Sequence, residues 1–344
     1  MFRQKLSFRV RTLCYPLLLC GLTMLLQGCA TTLSPVQLNI SKHPSENQNQ
    51  RIRFVVLHYT AGNWQQSLQI LTQKSARPVS SHYLIPESFD STYPEQELKV
   101  YQLVAETERA WHAGASAFED RQNLNDQSIG IELVNTGHCD QPIKATATSK
   151  ARPALCLTPD FDPQQMQLLA LLLKDILKRY PDISPTRVLA HSDIAPAKKQ
   201  DPGPRFPWQW LASQGIGAWY DNNIVRQYYQ QPVLTGGIPQ LQQALRLYGY
   251  AIEVTGEHDA QSKLYFSAFQ RHFVPEHITG EPDDKSIAVL SALLAKYRPE
   301  AFLQLIHQTA PKASKCHRHQ ADKPGIASCH TKEHQQITIN NNKN

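Results

Sequence analysis

The chain has 344 residues and a formal net charge of +6, long enough for more than one domain. Its basic excess lies at the ends, with four Lys or Arg and no acid before Leu13, and six against two acids from Lys312 onward. What remains is 25 basic and 27 acidic residues. A body so close to neutral lacks the concentrated basic face that nucleic-acid binding requires, which excludes that class of partner.

In chain order, a basic start (Arg3, Lys5, Arg9, Arg11) precedes an apolar stretch from Leu13 to Leu26 and then Gln27-Gly28-Cys29. The apolar stretch is shorter than the about 20 residues a membrane span needs. The pattern predicts a secretory leader of the lipoprotein kind over residues 1–28, with Cys29 as lipidated first mature residue. Residues 29–50, rich in Ser, Asn and Gln, read as a tether.

Residues 51–220 alternate apolar runs with helical patterns and predict one mixed α/β domain. Arg53 to Leu57 reads as a buried strand that delivers His58 at its carboxyl end, Ile129 to Val134 as an alternating strand, and Arg187 to Ala190 as another. Leucines at 168, 169, 172, 173 and 177 predict a helix over Pro163 to Tyr180, with Asp162 as cap and Pro163 at its first position. Gln231 to Gly237 is turn-rich, so 221–237 reads as a linker. Beyond it, Ile238–Tyr250, Lys263–His272 and Asp283–Tyr297 predict three helices in a small domain over 238–300. Residues 301–344 read as a disordered tail.

Of seven cysteines, Cys14 and Cys20 fall in the leader. The four others besides Cys29 suit disulfides in an oxidising compartment. Cys139 with Cys156 would close the insertion 136–160, and Cys316 with Cys329 a loop in the tail. The tail's Cys316-His317-Arg318-His319 and Cys329-His330 leave metal binding as the alternative there.

His191 and Asp201 lie ten positions apart in a proline-fixed loop, with Lys199 two before the aspartate. With His58 they form a two-histidine, one-carboxylate set of the kind that holds catalytic zinc, which takes three protein ligands. Asp193 is the rival carboxylate. His82 reads as a core or supporting hydrogen-bonding histidine.

His58-Tyr59-Thr60-Ala61, Ser80-Ser81-His82-Tyr83, Ala110-Trp111-His112-Ala113-Gly114, Leu124-Asn125-Asp126 with Ser128-Ile129-Gly130-Ile131-Glu132, and His191 to Gly203 follow one another here. In this order they resemble the type 2 family of zinc N-acetylmuramoyl-L-alanine amidases, which includes the peptidoglycan recognition proteins. The resemblance runs from about Arg53 to Trp219. It implies a mixed central sheet flanked by helices, one Zn2+ on His58, His191 and Asp201 rather than Asp193, and hydrolysis of the amide between N-acetylmuramic acid and L-alanine. It also assigns Glu132 as general base and, by a lysine two before the last ligand, Lys199 rather than Lys198 to the oxyanion.

Glu132 is the polar exception between Ile131 and Leu133, which look to the other face of its strand. His112, Tyr83 and Trp111 read as substrate contacts, and Phe206 with Trp208 as a wall of the site. The C-terminal helices resemble the three-helix peptidoglycan-binding module, the alternative being a bundle that only packs on the amidase domain. Resemblance to Gram-negative lipoproteins, with no aspartate after Cys29, implies an outer-membrane anchor facing the periplasm. Peptidoglycan and muropeptides are the implied partners. The rival functions are a peptidoglycan receptor without catalysis and a zinc peptidase that cuts within the stem peptide.

Overall fold

A five-stranded sheet draws its strands from between Phe54 and Ala190. The computed structural model describes residues 37–137 and 158–309. The leader, Cys29, the insertion cysteines and the tail cysteines lie outside the described residues. Residues 37–49 belong to a unit separate from the one beginning at Gln50 and carry no helix or strand.

The strands are β1 (Phe54–Tyr59), β2 (Tyr83–Ile85), β3 (Tyr101–Gln102), β6 (Ser128–Leu133) and β7 (Val188–Ala190). Their order is β3-β2-β6-β1-β7, parallel throughout except for antiparallel β3 on β2. A separate short hairpin joins β4 (Ala117–Phe118) to β5 (Arg121–Gln122). Parallel sheets are covered on both faces, which is why these strands read as nearly continuous apolar runs.

The two faces have different covers. Val55, Leu57, Ile129, Ile131, Val188 and Ala190 face helix α2 (Pro163–Arg179) and meet Leu169, Leu173 and Ile176. Each buried Val, Leu or Ile among them contributes about 1.5–3 kcal/mol. Asp162 caps α2 by accepting from the Gln164 amide at 2.8 Å, and Pro163 occupies the position where a missing N–H costs nothing. Phe54, Val56 and Leu189 face the other way, into a cluster with Phe118, Leu124 and Ile194.

That second cluster continues into the C-terminal helices, α6 (Gly237–Tyr248), α7 (Ala260–Phe273) and α8 (Asp284–Tyr297), through Tyr250, Phe269, Phe273 and Leu293. A β-carbon on Gly249 would lie 2.4 Å from the Phe118 ring, so the turn after α6 seats against the sheet side only as glycine. The three predicted helices are present, and residues 231–236 of the expected linker carry no helix or strand. Helix α5 (Asn222–Gln230) occupies the first part of that linker, capped by Asp221, and α9 (Pro299–Thr309) occupies the start of the expected tail. Phe302 and Leu305 of α9 are buried in the same cluster. The shorter helices are α1 (Trp64–Thr72), α3 (His191–Ile194) and α4 (Trp208–Ser213). Among the described residues, no helix is long and apolar enough to cross a membrane.

Candidate metal centre and catalytic cleft

His58 and Glu132 are register partners on neighbouring parallel strands. Side chains alternate along a strand, and 55, 57, 129 and 131 face α2, so His58 and Glu132 emerge together on the opposite side, at the carboxyl ends of β1 and β6. Strand β7 ends one residue before His191, which opens α3. Asp201 returns to this corner because its carbonyl accepts from the Ser192 amide at 3.0 Å.

Three donor atoms converge there. His58 Nδ1 lies 2.9 Å from His191 Nδ1 and 2.9 Å from Asp201 Oδ2, and His191 Nδ1 lies 3.0 Å from the same oxygen. All three residues are buried. Among the described residues they are the group of three or more His, Cys, Asp or Glu whose donor atoms sit close enough to share one ion.

The protons of both rings can be assigned from their other partners. Ser128 donates its hydroxyl to the Leu124 carbonyl at 2.6 Å, so its oxygen is the acceptor for His112 Nε2–H at 3.2 Å. His112 Nδ1 is then an acceptor and receives His58 Nε2–H at 3.0 Å. His191 Nε2–H donates to the Ala113 carbonyl at 3.3 Å. Both Nδ1 lone pairs are therefore bare, and both face a carboxylate oxygen. Three electron-rich atoms at this spacing repel one another unless a cation joins them, which is the arrangement of a metal site.

One short segment serves both rings, His112 supporting His58 and Ala113 supporting His191. Asn125 holds that segment, since its Oδ1 accepts from the amides of His112 at 3.0 Å and Ala113 at 2.7 Å. Gly130 makes room, because a β-carbon there would lie 2.3 Å from His112 Cγ.

The electrostatics follow from burial and mutual proximity. Burial first, then the His191 charge, lowers His58 to about 4, against the opposing pull of Asp201. Burial pushes Asp201 up, but positive charge on the adjoining His191 and His58 rings, present only when they are protonated, outweighs it and holds the carboxyl well below the usual range. Burial, then repulsion from Asp201, pushes Glu132 well above the ordinary carboxylate value, with Lys199 opposing. Glu132 Oε2 is buried without a hydrogen-bond partner.

The donors open onto a cleft of about 430 Å³ lined also by Tyr59, Thr60, Trp111, Glu132, Lys198 and Lys199. Its rim carries exposed apolar side chains from Ile70, Val79 and Trp111, of which sequence reasoning found only Trp111. Both lysines reach the cleft, and it is the charge of Lys199 that bears on His58 and Glu132.

Three expectations need correction. His112 lines the cleft but is 7% exposed with both ring nitrogens committed, so it supports His58 and is not a free substrate contact. Tyr83 pairs in register with Ile131, faces α2, and donates its hydroxyl to Glu106 at 2.7 Å. Phe206 and Trp208 are core residues at 3% exposure and form no wall. Asp193 lies outside the donor set and is bound by other groups. His82 sits in the core, its Nδ1 accepting from the Gly130 amide at 3.0 Å. The support from Asn125 and Ser128 left no sequence signal beyond their places in the Leu124–Glu132 run.

A mostly parallel sheet that brings two imidazoles, a carboxylate and a second, spare carboxylate together at its carboxyl edge has the make-up of a metal-dependent hydrolase centre. A family model described as N-acetylmuramoyl-L-alanine amidase matches residues 48–204. The chain is 41% identical to N-acetylmuramoyl-L-alanine amidase AmiD of Escherichia coli over 283 residues, which covers 80% of this chain and 95% of that protein. It superposes on the crystal structure of AmpDh3 from Pseudomonas aeruginosa with a TM-score of 0.67 at 40% identity, over 76% of this chain and all of that one. The match to E. coli AmiD in complex with anhydro-N-acetylmuramic acid-L-Ala-D-gamma-Glu-L-Lys has a TM-score of 0.61 at 39% identity, over 74% and 93%. This chain belongs to the N-acetylmuramoyl-L-alanine amidase family.

Proposed function

We propose that the chain is a zinc-dependent N-acetylmuramoyl-L-alanine amidase. Its reaction is hydrolysis of the amide between the lactyl group of N-acetylmuramic acid and the L-alanine of the stem peptide, in peptidoglycan and muropeptides. The observation that carries this reading is the convergence of two bare Nδ1 atoms and one carboxylate oxygen within 3.0 Å of one another. Nitrogen and oxygen donors, three in number, suit catalytic zinc. When bound, zinc supplies Lewis acidity and lowers the pKa of water.

The chain's own groups do the rest. Glu132 takes the proton of the attacking water at its unpartnered Oε2 and returns it to the leaving nitrogen. The Lys199 ammonium faces the negative charge that grows on the carbonyl oxygen, where a fixed cation in a sheltered cleft counts most. Trp111, with Ile70 and Val79, offers an apolar rim to the sugar or the peptide. The muropeptide named with the E. coli AmiD structure supports this class of substrate.

The leader of residues 1–28 would direct export, and a lipid on Cys29 would hold the mature enzyme on the outer membrane, facing the periplasm. Cys29→Ser tests the anchor: release from membrane pellets, or an unprocessed precursor, is expected, and unchanged sedimentation contradicts it. Metal content tests the centre. His58→Ala, His191→Ala and Asp201→Ala each lose stoichiometric zinc and hydrolysis, and full occupancy with normal turnover in any one removes that residue from the ligand set.

A further inference from the structure

We propose that the C-terminal helices are a working part of the metal centre: Tyr250 and His272 hold Asp193, and through it the short helix that presents His191. The inference rests on the reading of His191 as a metal ligand. Helix α3 has four residues and is closed by the Ala195 amide on the His191 carbonyl at 3.0 Å. A helix that short has no stability of its own. Its geometry must come from outside: besides the His191 contact to the Ala113 carbonyl and the burial of Ile194, two polar attachments fix its backbone. The Ser192 amide is tied to the carbonyl of Asp201, as described, and the other attachment is Asp193.

The Asp193 side chain is 1% exposed and accepts three hydrogen bonds. Oδ2 receives the Ala190 amide at 2.8 Å and His272 Nδ1 at 2.7 Å, while Oδ1 receives the Tyr250 hydroxyl at 2.9 Å. Ala190 is the last residue of β7, so the carboxylate fixes the corner between strand and helix on which His191 stands. Two of its three donors come from beyond Gly237. Both are themselves held rigidly. His272 stacks between Trp208 and Phe273, with ring centroids 3.8 and 4.0 Å away, and Tyr250 sits edge-on to Phe118 at 5.8 Å.

A buried carboxylate that loses its donors retains the full cost of its lost hydration. It recovers that cost by moving toward water or other donors, and the His191 ring moves with it. Metal donors tolerate little displacement, and groups that orient them affect affinity by about 10–100-fold. Tyr250 and His272 are thus positioning residues, and the C-terminal helices contribute to the centre itself whatever else they bind.

Tyr250→Phe and His272→Phe keep the aromatic packing and delete only the donors. In the full chain, the double variant should bind zinc about 10-fold more weakly by chelator competition. In the metal-free protein, the amides of Ser192 and Ala195 should exchange hydrogen faster. Arg298→Ala is the control for general loosening. It cuts a different link between the same regions, from Arg298 to Glu119 at 2.8 Å and to Thr186 at 3.3 Å, and should change neither readout. Unchanged zinc affinity in the double variant, or an equal loss in Arg298→Ala, would overturn the proposal. A wild-type protein that takes up no zinc would overturn the metal reading. The exchange rates of the metal-free protein would then still decide whether Asp193 is tethered as stated: unchanged rates at Ser192 and Ala195 reject the tether.

Discussion

His58 donates its Nε2–H to His112 Nδ1 across 3.0 Å, and that contact leaves the opposite nitrogen of His58 free to bind a cation. His112→Leu removes the acceptor and should weaken zinc binding by about 10–100-fold. His112→Gln, whose amide can accept from His58 and donate to Ser128, should lose less. Nitrogen chemical shifts of the His58 ring in metal-free protein report the tautomer directly. Equal zinc affinity in both variants would mean that the hydrogen bond does not orient the ligand.

Gly130 provides a steric test of the same support. The β-carbon of Gly130→Ala would fall 2.3 Å from His112 Cγ, so ring or strand must shift. The expected loss is about 1–3 kcal/mol in the metal-free protein, the range for overpacking a filled site, with weaker zinc binding alongside. Calorimetric unfolding and metal titration check the two halves, and an unchanged Tm with full affinity would show that His112 has room to move.

Glu132→Gln keeps the shape of the cleft and should retain zinc while turnover falls by about 100-fold or more, as removal of a general base does. Lys199→Met should also lower turnover without releasing metal, and Lys198→Met should have little effect. Metal analysis with turnover assays separates these outcomes. Loss of zinc from Glu132→Gln would make Glu132 a ligand, and equal effects at 198 and 199 would deny the oxyanion role to one lysine.

A pH effect on stability is expected away from the cleft. Burial first, then the neighbouring Asp90 and Asp162, raises Glu87 from 4.5 to about 7. The folded state therefore favours the acid form. Its contribution is complete below the ordinary value and is lost as pH rises through the raised one. Glu87→Gln should match the wild type in thermal unfolding near about pH 4 and exceed it near about pH 8. An identical Tm difference at both values would rule out titration of Glu87 as the cause.

The central strands were legible because a sheet covered on both faces needs unbroken apolar runs, and Val55 to Leu57 or Ile129 to Leu133 supply them. Glu132 stood out because alternation placed it opposite its apolar neighbours. Tyr83 gave no such sign: β2 has three residues, all buried, and a run that short does not reveal which face is which. In the Trp111–Gly114 segment there is no periodicity to separate an exposed Trp111 from a buried His112. Helix α5 escaped notice because it has no buried residue and sits beside turn-forming sequence. The stripe of α9, Phe302, Leu305 and Ile306, has helical spacing, but it is short, follows Pro299 closely and runs into the polar tail, so composition hides it. Asn125 acts through backbone amides, which no side-chain pattern announces.

The most direct test is mass analysis of muropeptides after digestion by the full chain with zinc, after chelation, and by Asp201→Ala. The zinc-loaded protein should release intact stem peptides that begin at L-alanine, together with sugars ending in free N-acetylmuramic acid. Chelation and Asp201→Ala should each abolish both products, and zinc should restore only the chelated wild type. Shortened peptides still attached to the sugar, or full activity after metal removal, would contradict a zinc amidase built on His58, His191 and Asp201.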